Sequence, residues 1–143
     1  MLDAFAIARR IKSRFAKVPS LYATGAVLNG TKAVVTVTTD FGIRYHAVVT
    51  PVSGIPATPM GYSHLTGDGK RMDQIKLAAL AAKAIAAMAR VTMTDEQLEP
   101  WHKDGVASFS VTSITGSVFL VEISEFTLDM ELDYIRASNR AGA

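Results

Sequence analysis

Few residues in this chain could act as bases, nucleophiles or metal ligands, and those few are scattered. Histidine occurs only at His46, His64 and His102, and cysteine is absent. The histidines fall on a predicted strand, in a predicted loop and after a predicted short helix, without the close spacing of metal-ligand pairs. Because metal sites need several converging ligands, we expect no metal and no cofactor. The lack of cysteine also excludes disulfides and thiolate chemistry.

Two segments come close to catalytic or phosphate-binding motifs without matching them. Ser63 and His64 are neighbours, but no Gly-x-Ser-x-Gly nucleophile motif is present. The run 67–70, Gly-Asp-Gly-Lys, precedes a predicted helix, yet a Walker loop needs four residues between its glycines and a Ser or Thr after the Lys. We interpret it as a turn that begins a helix. We therefore predict a non-enzymatic protein. For the alternative, an enzyme, His64 is the residue to test as a general base.

Charge is divided unevenly along the 143 residues, although the net charge is only +2. Residues 1–90 hold twelve Lys and Arg against four Asp and Glu, whereas residues 91–143 hold three against nine. Such asymmetry indicates electrostatic pairing, either within the folded chain or between molecules. Both alternatives stay open on the sequence alone.

Two charged groups are candidates for subunit interfaces. The basic group lies on the predicted exposed side of the first helix and consists of Arg9, Arg10, Arg14 and Lys17. The acidic group alternates along one face of a predicted strand and consists of Asp129, Glu131 and Asp133. Carboxylates spaced about 7 Å apart repel one another unless cations approach them. A solvated acidic face, or one covered by a basic helix of the same chain, is the alternative to contact with another copy.

The first half predicts a helix and an antiparallel meander. Apolar residues at helical spacing predict a helix over 2–17, which Pro19 ends. Strands are predicted over 21–28, 31–39 and 43–50, because these runs are rich in β-branched residues and are separated by turn residues such as Asn29-Gly30.

A long segment rich in proline and glycine follows the meander at 51–69. Loops of this length within a compact domain are uncommon and are usually functional or mobile. We therefore predict a contact arm here. Its candidate contact residues are Pro56, Pro59, Met60, Tyr62 and His64.

The second half predicts an alanine-rich helix over 70–90, apolar around most of its circumference and therefore buried on most sides. Thr94 to Gln97 matches a capping box and predicts a short helix. Strands are predicted over 106–114 and 117–135. In the latter, the apolar residues change from odd to even positions after Ile123, which predicts a bulge, a bend or a break there.

Together these elements predict one α+β domain over 1–143, with helices packed on one face of a mainly antiparallel sheet that ends in a β-hairpin. The long apolar run 77–89 is too short to span a bilayer, and the first ten residues lack the pattern of a secretory signal. We expect a protein of the cytoplasm or of an assembled particle, which does not bind membranes.

Unlike charged patches on one subunit favour head-to-tail contacts that close into rings or stack. The sequence thus predicts a homo-oligomeric assembly protein of the kind found in viral or phage particles as a head–tail joining or tail-terminating ring. Its expected partners are other copies of itself and other assembly proteins. The alternative is a nucleic-acid-binding module that uses the basic N-terminal half. That basic patch would add Lys70, Arg71, Lys76 and Lys83 to the bases of the first helix.

Overall fold

The computed structural model describes residues 2–23, 25–40, 42–57 and 74–125. Two helices lie in this part of the chain, α1 (Ala4–Phe15) and α2 (Gln74–Ala86). The strands in chain order are β1 (Leu21–Ala23), β2 (Val27–Asn29), β3 (Lys32–Thr39), β4 (Arg44–Val52), β5 (Val91–Thr92), β6 (Trp101–Lys103), β7 (Val106–Ser113) and β8 (Val118–Glu125).

All eight strands form one antiparallel sheet, and both helices pack against it, as the predicted α+β class requires. The path through the sheet is β1-β3-β4-β8-β7-β5. β2 pairs with the start of β3, and β6 pairs with the start of β7. Each outer edge therefore consists of short strands, which limits the length of unpaired backbone offered to other chains.

The core lies between the helices and one face of the sheet. Its sheet residues alternate along each long strand, for example Val35 and Val37 on β3 and Val121 and Ile123 on β8. The predicted odd-numbered apolar set of the last strand is thus buried up to Ile123. The predicted change to even positions lies outside the described residues.

Helix α1 forms where the 3.6-residue spacing predicted it. Asp3 is its N-cap, and its carboxylate Oδ1 accepts a hydrogen bond from the backbone N–H of Ala6 at 2.8 Å. Ile7, Ile11 and Phe15 are fully buried. The bases alternate with these residues in sequence but lie on the other side of the helix, which leaves a cationic outer face.

Helix α2 is buried on more of its circumference than α1, as its composition predicted. Leu77, Ala78, Ala81, Ala82 and Ile85 have no exposed surface. Alanine lets neighbouring backbones approach closely, so α2 packs beside α1 as well as on β7 and β8. Lys83 is the exposed base in its last turn.

Two predicted elements differ in the structure. The first predicted strand is divided into β1 and β2, which bind opposite ends of β3. The capping box at Thr94 does form, with Thr94 N–H donating to Gln97 Oε1 at 2.9 Å and Gln97 N–H donating to Thr94 Oγ1 at 3.2 Å. It closes hydrogen-bonded turns rather than the predicted helix, because Pro100 and the start of β6 follow at once.

The described elements form two copies of one unit, and each copy consists of a helix, two short strands and two long strands. β2, β3 and β4 recur 74 positions later as β6, β7 and β8, so that Lys32–Thr39 corresponds to Val106–Ser113. α1 and β1 recur 70 positions later as α2 and β5, so that Leu21 corresponds to Val91. β4 and β8 pair with each other and join the two units at the centre of the sheet.

The hairpin turns show that the two units are equivalent in detail. Gly42 N–H donates to the Thr39 carbonyl at 2.9 Å, and Gly116 N–H donates to the Ser113 carbonyl at 3.0 Å. Both glycines have positive φ, 81° and 93°. A side-chain oxygen supports each turn, since Thr39 Oγ1 accepts from Ile43 N–H and Ser113 Oγ accepts from Ser117 N–H.

Candidate interaction surface

A cleft of about 240 Å³ lies between α1 and α2 on the helical side of the molecule. Its lining is basic except for two small residues. The lining residues are Arg10, Ser13, Arg14, Lys17, Lys83 and Ala84. Three of the four predicted basic interface residues are therefore brought together, and α2 adds a fourth cation.

The cleft lies where the two units meet, because Ser13 and Arg14 of α1 correspond to Lys83 and Ala84 of α2. Small residues at this crossing leave the space that forms the cleft. α1 provides most of the charge, since the position equivalent to Lys17 in the second unit is Ala87. The cationic character is thus a property of one helix placed beside an alanine-rich one.

Arg10 fixes the geometry of the cleft. Its Nε donates a hydrogen bond to the Ala84 carbonyl at 2.9 Å. Ala84 is among the last four residues of α2, whose carbonyls have no partner within the helix. A guanidinium at a helix C-terminus is also favoured by the helix dipole. Arg10 therefore joins the two helices and still presents charge to the cleft.

The cations of the cleft are not neutralised by the part of the chain that the structure describes. Lys17 and Lys83 are exposed, Arg14 is half-buried, and none of the three forms an ion pair with a described carboxylate. Like charges this close repel one another, so an approaching anion relieves repulsion as well as gaining attraction. The arrangement suits a carboxylate or phosphate from outside the described residues.

Arg9, the fourth predicted basic residue, lies outside the cleft. It is exposed, and its guanidinium lies 5.9 Å from the centre of the Phe5 ring. A cation above an aromatic face gains a modest attraction at an exposed site. Arg9 extends the positive surface of α1 toward the start of the helix but does not line the cleft.

Acidic residues that the sequence analysis did not single out lie at the far edge of the sheet. α1 packs on β1, β3 and β4, whereas the turns at 94–99 lie beside β7. Asp95, Glu96 and Glu99 are exposed there. The signal that could have found them was the run of acids in and after the capping box.

Gln97 anchors this acidic edge. Its side-chain Nε2 donates to Ser110 Oγ at 3.2 Å and to Thr112 Oγ1 at 2.9 Å, and also contacts the Ser110 carbonyl. Gln97 is only 7% exposed. The anchored turns place their carboxylates beside β7, whereas the α1 bases line the cleft between the helices.

The remaining predicted contact residues have different outcomes. Pro56 is half-buried after β4. Pro59, Met60, Tyr62 and His64 of the predicted arm lie outside the described residues. The predicted acidic ladder, Asp129, Glu131 and Asp133, also lies outside them, as does the turn at 67–70.

The two described histidines occupy structural positions. His46 lies on β4 opposite Thr36 and Ser124 of the neighbouring strands and is 4% exposed. Burial lowers the pKa of His46 from 6.5 to about 4, so the imidazole is neutral at physiological pH. His102 Nε2 lies 3.2 Å from Gln74 Nε2. No cluster of three metal-ligating side chains occurs within residues 2–57 and 74–125, apart from the undescribed 24 and 41.

Comparison with known proteins finds no matching family model, curated protein or solved structure. Among the described helices, none has the length and apolar character needed to cross a membrane.

Proposed function

We propose that this protein is a non-enzymatic assembly protein that forms homo-oligomers by head-to-tail contact. The basic cleft of one subunit, lined by Arg10, Arg14, Lys17 and Lys83, receives an acidic segment from the C-terminal third of the next subunit. The observation that carries the proposal is the convergence of four cations, without a described carboxylate among them, in a cleft between the two helices.

Charge placement supports a heterologous contact rather than a symmetric one. The cleft lies between the helices, and the exposed acids Asp95, Glu96 and Glu99 lie at the β7 edge. When two unlike patches lie at separate places on one subunit, each patch can bind the other patch of a neighbouring copy. Such heterologous contacts build rings or stacks. Asp129, Glu131 and Asp133 remain predicted members of the same acidic surface.

Apolar burial must add to this charge pairing, because each exposed ion pair contributes only about 0–1 kcal/mol. The residues that follow α2 offer such a surface: Ala87 and Ala89 are exposed and Met88 is half-buried. Charge complementarity then sets orientation and association rate, while apolar contact supplies affinity. A ring that joins or terminates a phage tail is the type of assembly that we propose.

A second candidate function is nucleic-acid binding, which the same cleft favours because phosphates are anions. The cleft is small, however, and α2 contributes one lining cation. Backbone binding by a basic surface would weaken steeply as salt rises. The acidic edge would repel a long polyanion that extended beyond the cleft.

Light scattering at low and high salt tests the proposal. The protein should form a species larger than a monomer at low salt, and this species should shrink as salt screens the contacts. The double variant Arg14→Glu/Lys17→Glu should be monomeric. The matched control Lys32→Glu/Arg44→Glu makes the same change of charge at exposed residues outside the cleft and the acidic edge, and it should assemble like the parent chain.

A monomer at high concentration and low salt would contradict the proposal. Equal loss of assembly in the control pair would show that net charge, not the cleft, sets association. A gel-shift assay with duplex and single-stranded DNA and RNA at low salt separates the second candidate. Retardation that disappears in Arg14→Glu/Lys17→Glu, in a protein that is monomeric, would favour nucleic-acid binding over assembly.

A further inference from the structure

A second cavity, of about 560 Å³, opens beside the first turn of α1. It is formed by the start of α1, the turn between β2 and β3, the end of β4 and the start of β8. Most of its lining is apolar. The principal apolar residues are Leu2, Phe5, Leu28, Val52, Val118 and Phe119.

The polar side chains of this cavity are few. Asp3, Thr31 and Ser117 supply a carboxylate and two hydroxyls, and Asp3 is the only charged residue among the described residues that line the cavity. Asp3 Oδ1 accepts the capping hydrogen bond from Ala6 N–H. Its other carboxylate oxygen has no hydrogen bond or ion pair with any residue that the structure describes. An apolar wall with one negative group favours a ligand that has an apolar body and one positive group.

The second unit has a side chain where the first unit has this space. Ala4, Leu28 and Thr31 correspond to Gln74, His102 and Gly105. Gln74 Nε2 lies 3.2 Å from His102 Nε2 and donates to the Gly105 carbonyl at 3.2 Å. Gln74 thus links its helix to the β6–β7 turn. The small side chain of Ala4 makes no such link to the turn between β2 and β3 in the first unit.

We propose that this cavity binds a small aromatic or branched aliphatic amine. The apolar body packs between Phe5, Leu28 and Val118, and the ammonium group lies against the Asp3 carboxylate. The volume lies within the range of about 300–1,000 Å³ that is typical of small-molecule sites. Arg9 approaches the Phe5 ring but does not line the cavity, so Asp3 sets the charge inside it.

Three probes that share one ring and differ in charge test this proposal: 2-phenylethylamine, 2-phenylethanol and phenylacetate. Each is titrated into the ¹⁵N-labelled full chain, and amide shifts are followed by NMR. The amine should shift the amides of Phe5, Thr31 and Ser117. Its affinity should exceed that of the alcohol and be at least about tenfold higher than that of phenylacetate, since a charge-assisted contact is replaced by repulsion.

Two variants examine the polar and apolar parts separately. Asp3→Asn keeps an effective N-cap, so it should abolish the preference for the amine while binding of the alcohol persists. Leu28→His introduces the residue of the second unit at a 45% exposed position, where folding tolerates change, and should weaken all probes at least about tenfold.

Ala4→Gln introduces the bridging residue of the second unit and should close the cavity. Its matched control is Ala16→Gln, an exposed position at the end of α1 that lines neither cleft nor cavity. If Ala4→Gln fails to fold, Asp3→Asn and Leu28→His decide the question. Absence of shifts, shifts at other residues, or binding that prefers phenylacetate would overturn the proposal.

Discussion

The two structural units of this protein share a backbone plan but differ in what they place on it. Both contain a helix, two short strands and a hairpin whose turn is built by the same hydrogen bonds. The first unit places bases on its helix and leaves a cavity at the start of that helix. The second has an alanine-rich helix, joins that helix to the β6–β7 turn through Gln74 and adds an acidic turn region. The shared backbone plan maintains the fold. The basic helix, the cavity and the acidic turns differ between the units, and we therefore look for function there.

The largest expected effect lies in the shared core. Phe15 is fully buried and corresponds to Ile85 of the second unit. Phe15→Ala should lower the free energy of unfolding by about 4 kcal/mol, because it removes a ring and leaves a cavity. Phe15→Ile, which installs the residue of the equivalent position, should cost only about 1 kcal/mol. Urea unfolding measures both; equal losses would show that the two positions are not equivalent.

The second expected effect is a dependence of stability on pH that arises at a position where the two units differ. His46 corresponds to Leu120, and burial lowers the pKa of His46 to about 4. The unfolded chain therefore binds more protons than the folded one between pH 6.5 and 4, so this contribution is complete above pH 6.5 and is lost as pH falls through that window. The loss should reach about 2–3 kcal/mol.

Replacing the histidine tests that assignment directly. His46→Leu should remove this part of the acid sensitivity, which urea unfolding at pH 7, 5.5 and 4.5 would reveal. An unchanged slope of stability against pH in the variant would assign the sensitivity to other groups.

The third prediction concerns the turns at 94–99, which lie between β5 and β6, where the offset between the two units increases from 70 to 74 positions. Gln97→Ala should lower the free energy of unfolding by about 2 kcal/mol, since the Ser110 carbonyl and the hydroxyls of Ser110 and Thr112 lose the side chain that donates to them. Glu99→Ala, at an exposed position nearby, should change it by less than about 0.5 kcal/mol. Thermal unfolding would rank the two, and comparable losses would contradict the anchoring role of Gln97.

The smallest expected changes in the free energy of unfolding test whether the two hairpin turns are equivalent. Gly42→Ala and Gly116→Ala each place a side chain at positive φ and should each cost about 1 kcal/mol. Gly54→Ala has open space around it and no positive φ, so it should be close to neutral. Clearly unequal costs at the two turns would show that their similarity ends at the hydrogen bonds.

Local patterns in the sequence predicted most elements of this fold. Helical spacing predicted α1, and alanine content predicted the burial of α2. The Asn29-Gly30 turn predicted the hairpin of β2 and β3. The division of the first strand was missed because β1 and β2 are both extended and differ only in which end of β3 they bind. The duplication was missed because equivalent residues preserve burial rather than identity, as Phe15 and Ile85 do.

The candidate site was predictable only in part. Helical periodicity placed Arg10, Arg14 and Lys17 on one face of α1, but the approach of Lys83 depends on how two distant helices cross. The bond from Arg10 to the Ala84 carbonyl joins residues far apart in sequence, so no local pattern indicates it. The apolar cavity likewise draws on four separate elements.

Mixing two complementary variants tests the central claim, that opposite charges on separate parts of this protein bind other copies of it. The cleft variant Arg14→Glu/Lys17→Glu and the edge variant Asp95→Lys/Glu96→Lys/Glu99→Lys should each be monomeric by light scattering at low salt. An equimolar mixture should regain a larger species, because each partner supplies the surface that complements the other. A mixture that stays monomeric while the parent chain assembles, or an edge variant that assembles like the parent, would contradict the claim.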